Sequence, residues 1–264
     1  MNESNVEDTP PAATREQPGW DAMLEDLLGL NIRGLRTIGV IFISPQKVYA
    51  AARAENWLER AYTPSLRLFI SLVMLVLVLQ AFWAGPESRV TAVQITAIKT
   101  QLEMSAPPEL QPFIDPLLIW QNAIVSLPIA TVSIMLVFAF LLRIWGKGVN
   151  AVTRVRFYFL SVIPAWIISF LLSMGSEILP NAIALTVIVL NPFIILSIDA
   201  ISAWRGNPGQ YQKFARIWRS ALFAATNQAV YFLAGIVMFI YATNIALAKA
   251  AQAAEAAGVI LTGS

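Results

Sequence analysis

Residues 157–176 read FYFLSVIPAWIISFLLSMGS and residues 178–198 read ILPNAIALTVIVLNPFIILSI, with Glu177 the one residue between them. The two runs hold 20 and 21 residues without a single Asp, Glu, Lys or Arg. A helix rises about 1.5 Å per residue, so about 20 apolar residues cross a hydrocarbon core of about 30 Å. Both runs therefore predict membrane-spanning helices, joined by a tight turn at which Glu177 is a solvated cap.

The same criterion applied outward finds three more uncharged runs, Leu68–Pro86, Pro116–Leu142 and Ser220–Ala248, of 19, 27 and 29 residues. The next candidate, Thr37–Gln46, has ten residues with Gly39 and Pro45 inside it, which suits the membrane interface rather than a crossing. Composition agrees. The chain is 57% hydrophobic and 13% charged, with a mean hydropathy of +0.64. Soluble domains carry about twice that share of charge. The predicted fold is all-α, a bundle of five transmembrane helices preceded by two N-terminal amphipathic interfacial helices.

Along the chain this divides into a disordered tail at 1–19, interfacial helices at 20–63, the membrane domain at 64–248 and a short tail at 249–264. The first segment is polar, holds three prolines and has no apolar period, so ordering it would gain too little burial. It also lacks the apolar core of a secretory signal. Trp20, Met23, Leu24, Leu27, Leu28 and Leu35 then recur at helical spacing opposite Asp21, Glu25 and Asp26, predicting an amphipathic helix over Trp20–Arg36. Ser44-Pro45 starts a second, through Tyr49 and Trp57 to about Tyr62, and Thr63-Pro64 starts the first span. Val90–Leu102 predicts a short helix between the first two spans, and the alanine-rich stretch 246–257 extends the fifth span beyond the bilayer.

Basic residues set the orientation, because Lys and Arg near membrane ends are retained on the cytoplasmic side. Seven precede the first span, four lie between the second and third, and four between the fourth and fifth; the intervening segments and the C-terminal tail hold three in all. The expected placement is a multi-pass inner-membrane protein with its N-terminus cytoplasmic and its C-terminus periplasmic. Trp83, Trp120, Trp145, Trp204 and Trp218 fall near span ends, where an interfacial aromatic belt places them.

The chain contains no cysteine and no histidine. That excludes disulfides, thiolate nucleophiles, Cys/His zinc sites, His-ligated haem, an HExxH metalloprotease and any Ser-His pair. No catalytic, cofactor-binding or metal-binding residue is assigned, and no cofactor is expected. An ionisable group inside a span is a functional candidate by default, which selects Asp199 in the fourth span. Asn191 lies within about 80° of it around the helix and about 12 Å along it, and Pro192 frees backbone carbonyls between them. Asn191, Pro192 and Asp199 thus form a possible intramembrane polar track. In the competing reading Asp199, six positions before Arg205, pairs with Arg205, Arg216 or Arg219 and anchors the loop.

The amides Gln121, Asn122, Asn181, Asn227, Gln228 and Asn244 suit interhelical hydrogen bonds, each worth about 1 kcal/mol. Ala221, Ala225 and Ala229 form a small-residue stripe that lets a helix approach closely. Gly206-Asn207-Pro208-Gly209 reads as a turn. Lys213, Arg216 and Arg219 recur at helical spacing beside the membrane, so anionic lipid headgroups on the cytoplasmic face, rather than nucleic acid, are their expected contacts. Other membrane proteins or a second copy of the chain are the further partners expected.

A cytoplasmic N-terminal region, five spans and a short far-side C-terminus resemble the Yip (Ypt/Rab-interacting) family. The stretch Ser44-Pro45-Gln46-Lys47-Val48-Tyr49, leading through Tyr62-Thr63-Pro64 to Leu66-Arg67-Leu68-Phe69, is also similar to a related group of bacterial membrane proteins. Glu25-Asp26-Leu27-Leu28-Gly29 resembles the family's Asp-Leu-Tyr-Gly-Pro signature without its Tyr and Pro, and no functional residue is carried over. The resemblance implies a non-enzymatic protein with a membrane-organising or protein- and lipid-interaction role. The alternative is a transporter or channel component using the polar track. A lipid-modifying enzyme working with carboxylates alone is a third reading, and few acids lie near the surface to support it.

Overall fold

Two short polar side chains fix where the core helices begin. Asp115 accepts from the Leu117 amide at 2.9 Å with Pro116 next to it, and Asn150 accepts from the Thr153 amide at 2.7 Å. Each satisfies an N–H that a first helical turn leaves open, and proline sacrifices nothing where the N–H has no helical partner. Between the helices they launch, Gly148 adopts φ of +83°, a left-handed conformation that glycine takes without strain.

The computed structural model describes residues 32–53, 62–83, 88–146, 148–206 and 213–258. Among them all regular structure is helical: α1 (Ile32–Ile43), α2 (Pro45–Arg53), α3 (Ser65–Trp83), α4 (Arg89–Ser105), a 3-10 turn at Gln111–Phe113, α5 (Pro116–Leu141), α6 (Ala151–Ser176), α7 (Asn181–Gly206) and α8 (Lys213–Ala256). Four stretches, Leu117–Leu141, Ala151–Ser176, Asn181–Gly206 and Lys213–Ala256, are long and apolar enough to cross a membrane. The chain is an all-helical, multi-pass membrane protein. The first predicted span is the apolar α3, whose Ser65–Leu79 run is shorter than the other four.

Helices α5 to α8 pack as a ring, α5 on α6, α6 on α7, α7 on α8 and α8 back on α5. The short connections make successive helices antiparallel. Helix α3 lies against the outside of α6, and α1 and α2 cover the end of the bundle where α6 begins and α7 ends. The Phe157–Ala165 stretch of α6 is thereby surrounded. Its residues are buried without a break, which a helix with one solvent- or lipid-facing side does not show.

The core at this end is aromatic. Tyr49 of α2 meets Phe157 at 5.0 Å and Trp145 at 6.2 Å between ring centroids, and Phe223 of α8 lies 5.5 Å from Trp145 and 5.3 Å from Tyr158. On the outer side Phe69 of α3 packs on Phe159 and Trp166. Such tilted and edge-on pairs add to simple contact. The opposite end is built differently. There Ala242 and Ala246 of α8 pack with Leu102 and Ile119, and the buried set continues through Ala250 and Ala254.

Several expectations need correction. Trp145 and Trp120 are buried rather than part of an interfacial belt, because the loop after α5 and the first turns of α5 fold them into the bundle; Trp204 and Trp218 are exposed. Ala221, Ala225 and Ala229 point outward, and the packed face of that part of α8 runs through Ser220, Phe223, Ala224, Asn227 and Val230. Helix α1 occupies the stretch expected at the interface, and α4 matches the predicted connector helix with one further residue at its start and three at its end. Gly206 is the last residue of α7 rather than the start of a turn, with 207–209 outside the described residues. The 1–19 tail, most of the Trp20–Arg36 helix and the second half of the Ser44–Tyr62 helix also lie outside them.

Candidate functional site

Asp199 has no solvent-accessible surface. On its buried side α8 presents Asn227 and Tyr231 one turn apart, and α6 presents Tyr158. The Asn227 amide nitrogen donates to Asp199 Oδ2 at 2.6 Å, and the Tyr158 hydroxyl donates to Asn227 Oδ1 at 2.8 Å. One amide therefore links three helices, with every donor in the chain Tyr158, Asn227, Asp199 oriented toward the carboxylate. The Tyr231 hydroxyl is buried beside Asn227 and Trp166 and forms no well-shaped hydrogen bond, and Asp199 Oδ1 has no partner either. Buried polar atoms are nearly always bonded, and at Asp199 the unbonded atom belongs to a carboxylate, the group for which burial without a partner costs most.

Tyr49 closes the cluster from the end of the bundle. Its hydroxyl bonds to Ser161 Oγ, and since Ser161 itself donates to the Phe157 carbonyl at 2.9 Å, Tyr49 is the donor. The ring fits because residue 206 is glycine: a Cβ there would overlap the Tyr49 ring directly. Burial pushes the Tyr49 hydroxyl well above the ordinary phenol range, Ser161 pulls it partway back, and the nearby Asp199 raises it again. Tyr49 is thus uncharged at neutral pH.

The arginines around this end do not reach Asp199. Arg205 donates to the Phe42 and Ile43 carbonyls at 3.0 and 3.1 Å, Arg156 to Ala52 at 3.0 Å and Arg154 to Phe140 at 2.7 Å. Arg216 Nε donates to the Trp204 carbonyl at 2.7 Å, and Arg219 to Ile144 at 3.0 Å. Four of the five hold last-turn carbonyls of α1, α2, α5 or α7, and Arg219 holds the turn after α5. Helix C-termini carry unpaired acceptors and the negative end of the helix dipole, so a guanidinium there satisfies both. The expected pairing of Asp199 with Arg205, Arg216 or Arg219 is therefore not formed: helix ends outcompete a carboxylate sealed in the core.

The polar track expected along α7 also divides. Asn191 bonds through its amide nitrogen to Ser169 of α6 at 2.9 Å, Asp199 bonds to α8, and Pro192 is exposed. Lys213 is exposed at the start of α8, beside exposed Phe214 and Trp218, while the Arg216 guanidinium lies 4.9 Å over the Trp204 ring. Asn227, expected as an interhelical hydrogen-bonding residue, is one. Tyr49, Tyr158 and Tyr231 were not selected from the sequence, because a tyrosine in an apolar run looks like any other large core residue. No family model, curated protein or solved structure matches this chain.

Proposed function

We propose that this chain is a non-catalytic inner-membrane protein with a membrane-organising or protein- and lipid-interaction role of the Yip-like kind. In this reading α3 is a fifth span, the N-terminus is cytoplasmic, the C-terminus is periplasmic, and α1 and α2 sit at the cytoplasmic interface. The observation that carries it is the basic rim. Arg216 and Arg219 are immobilised by backbone carbonyls, and with Lys213, Trp204, Phe214 and Trp218 they form a preset cationic and aromatic surface where headgroups would lie. A fixed guanidinium loses less freedom on binding than a loose one.

Native mass spectrometry of the detergent-released protein tests this. Phosphatidylglycerol should be retained in preference to phosphatidylcholine, and Lys213→Gln with Arg216→Gln should reduce that preference several-fold; equal retention of the two lipids by the natural protein contradicts the reading.

A second reading, a transporter or channel component, is favoured by the buried, unpartnered Asp199 Oδ1 among three packed helices. Reconstituted in vesicles, such a protein should show proton- or ion-linked flux that Asp199→Asn abolishes. Flux that persists unchanged in that variant contradicts it.

A further inference from the structure

The hydrogen-bond inventory around Asp199 does not close. Asn227 is used on both sides, accepting from Tyr158 and donating to Asp199 Oδ2. That leaves Asp199 Oδ1, buried and without a partner, and the buried Tyr231 hydroxyl, which lies beside Asn227 and Trp166 without a well-shaped bond. The groups that face Asp199 are tyrosines from three elements, Tyr158 on α6, Tyr231 on α8 and Tyr49 on α2. None of them brings positive charge, and the nearest arginine in sequence, Arg205, is committed to the carbonyls of α1. A carboxylate taken out of water with no opposite charge among the described residues is one of the costliest arrangements in a fold, so the site calls for one positive charge, and Asp199 Oδ1 is free to receive it.

We propose that Asp199, Asn227, Tyr158 and Tyr231 form a binding site for one monovalent cation, a proton or an ion of sodium size. The carboxylate and phenol oxygens are hard ligands, which suits a hard ion, while the Asn227 amide nitrogen donates to Asp199 Oδ2 and orients the carboxylate. Charge selects the ion's valence. One carboxylate neutralises one positive charge, whereas a divalent ion would leave a net charge buried, and among the described residues no group of three or more acidic or histidine side chains exists to hold one. Tyr49 covers the site from the bundle end, so ion exchange requires α2 to lift or the helices to part. The inference does not depend on the lipid-facing role of the basic rim.

The full chain in phosphatidylcholine nanodiscs provides the test, with the thermal midpoint followed by tryptophan fluorescence. One series replaces choline chloride by sodium chloride at constant ionic strength and pH 8. The other lowers the pH from 8 to 5 without sodium. Binding to the folded state alone raises the midpoint, by about 3–5 °C for each tenfold increase of ligand above half-saturation. A rise with sodium identifies the metal ion, a rise with acid alone identifies the proton, and Asp199→Asn should flatten both. A natural protein insensitive in both series, or an Asp199→Asn variant that responds equally, overturns the proposal. Should that variant fail to fold, infrared difference spectra of the natural protein with labelled aspartate decide: the Asp199 carboxyl bands must change between choline and sodium or between the two pH limits, and constant bands overturn the proposal.

Discussion

The two ends of the bundle are held by different chemistry. At the end covered by α2, large rings interlock, Tyr158, Asn227 and Asp199 join three helices by hydrogen bonds, and arginines tie helix ends together. At the other, α8 runs past the four-helix ring and presents alanines at 242, 246, 250 and 254 to the 3-10 turn, α4 and α5. Lipid tails are as apolar as leucine, so burying apolar surface gives helices little reason to associate within a bilayer. The fold meets that in two ways: close approach through small side chains at one end, shape and polar bonding at the other. The second is directional, and it is where the functional chemistry gathers.

Removing the ring that seats α2 should separate the two ends most sharply. Tyr49→Ala opens a hole beneath α2 and should cost about 3–5 kcal/mol of stability. Tyr49→Phe, which keeps the ring and loses the bond to Ser161, should cost about 1 kcal/mol, and chemical denaturation in detergent measures both. The hydroxyl is neutral in the fold and its folded pKa lies above its unfolded value near 10, so its contribution is constant from about pH 5 to about pH 9 and is lost as pH rises beyond about 10.

At the alanine end, Ala246→Leu forces apart surfaces already in contact and should cost about 1–3 kcal/mol. The smallest effect belongs to Ala225→Leu, the same change on the outward face, within about 0.5 kcal/mol. Equal effects at 225 and 246 would mean that the stripe at 221, 225 and 229 is packed after all.

Much of this was legible from charge and run length. Uncharged runs located α5, α6, α7 and α8 closely, since crossing a bilayer leaves little choice of composition. Asp199 stood out for the same reason, because an acid in an apolar run always costs energy. Its partners did not. Asn227, 28 positions away, could have met any helix, and only the ring order of the bundle places it opposite Asp199 and Tyr158. Helix phase was equally hidden: alanines recur on two faces of α8, and spacing alone cannot say which face has a neighbour. The arginines mislead in an instructive way. Basic residues near span ends carry orientation information, yet Arg154, Arg156, Arg205 and Arg216 also serve as caps for carbonyls that no sequence pattern announces.

The account centres on α2 as a docked part of the bundle, held by Tyr49 in the notch that Gly206 leaves. Hydrogen–deuterium exchange of the protein in nanodiscs, natural and Gly206→Ala, tests this directly. The account predicts slow exchange over residues 46–53 in the natural protein and fast exchange there in the variant, with α6 protected in both. Fast exchange over 46–53 in the natural protein, or protection unaffected by Gly206→Ala, would contradict it.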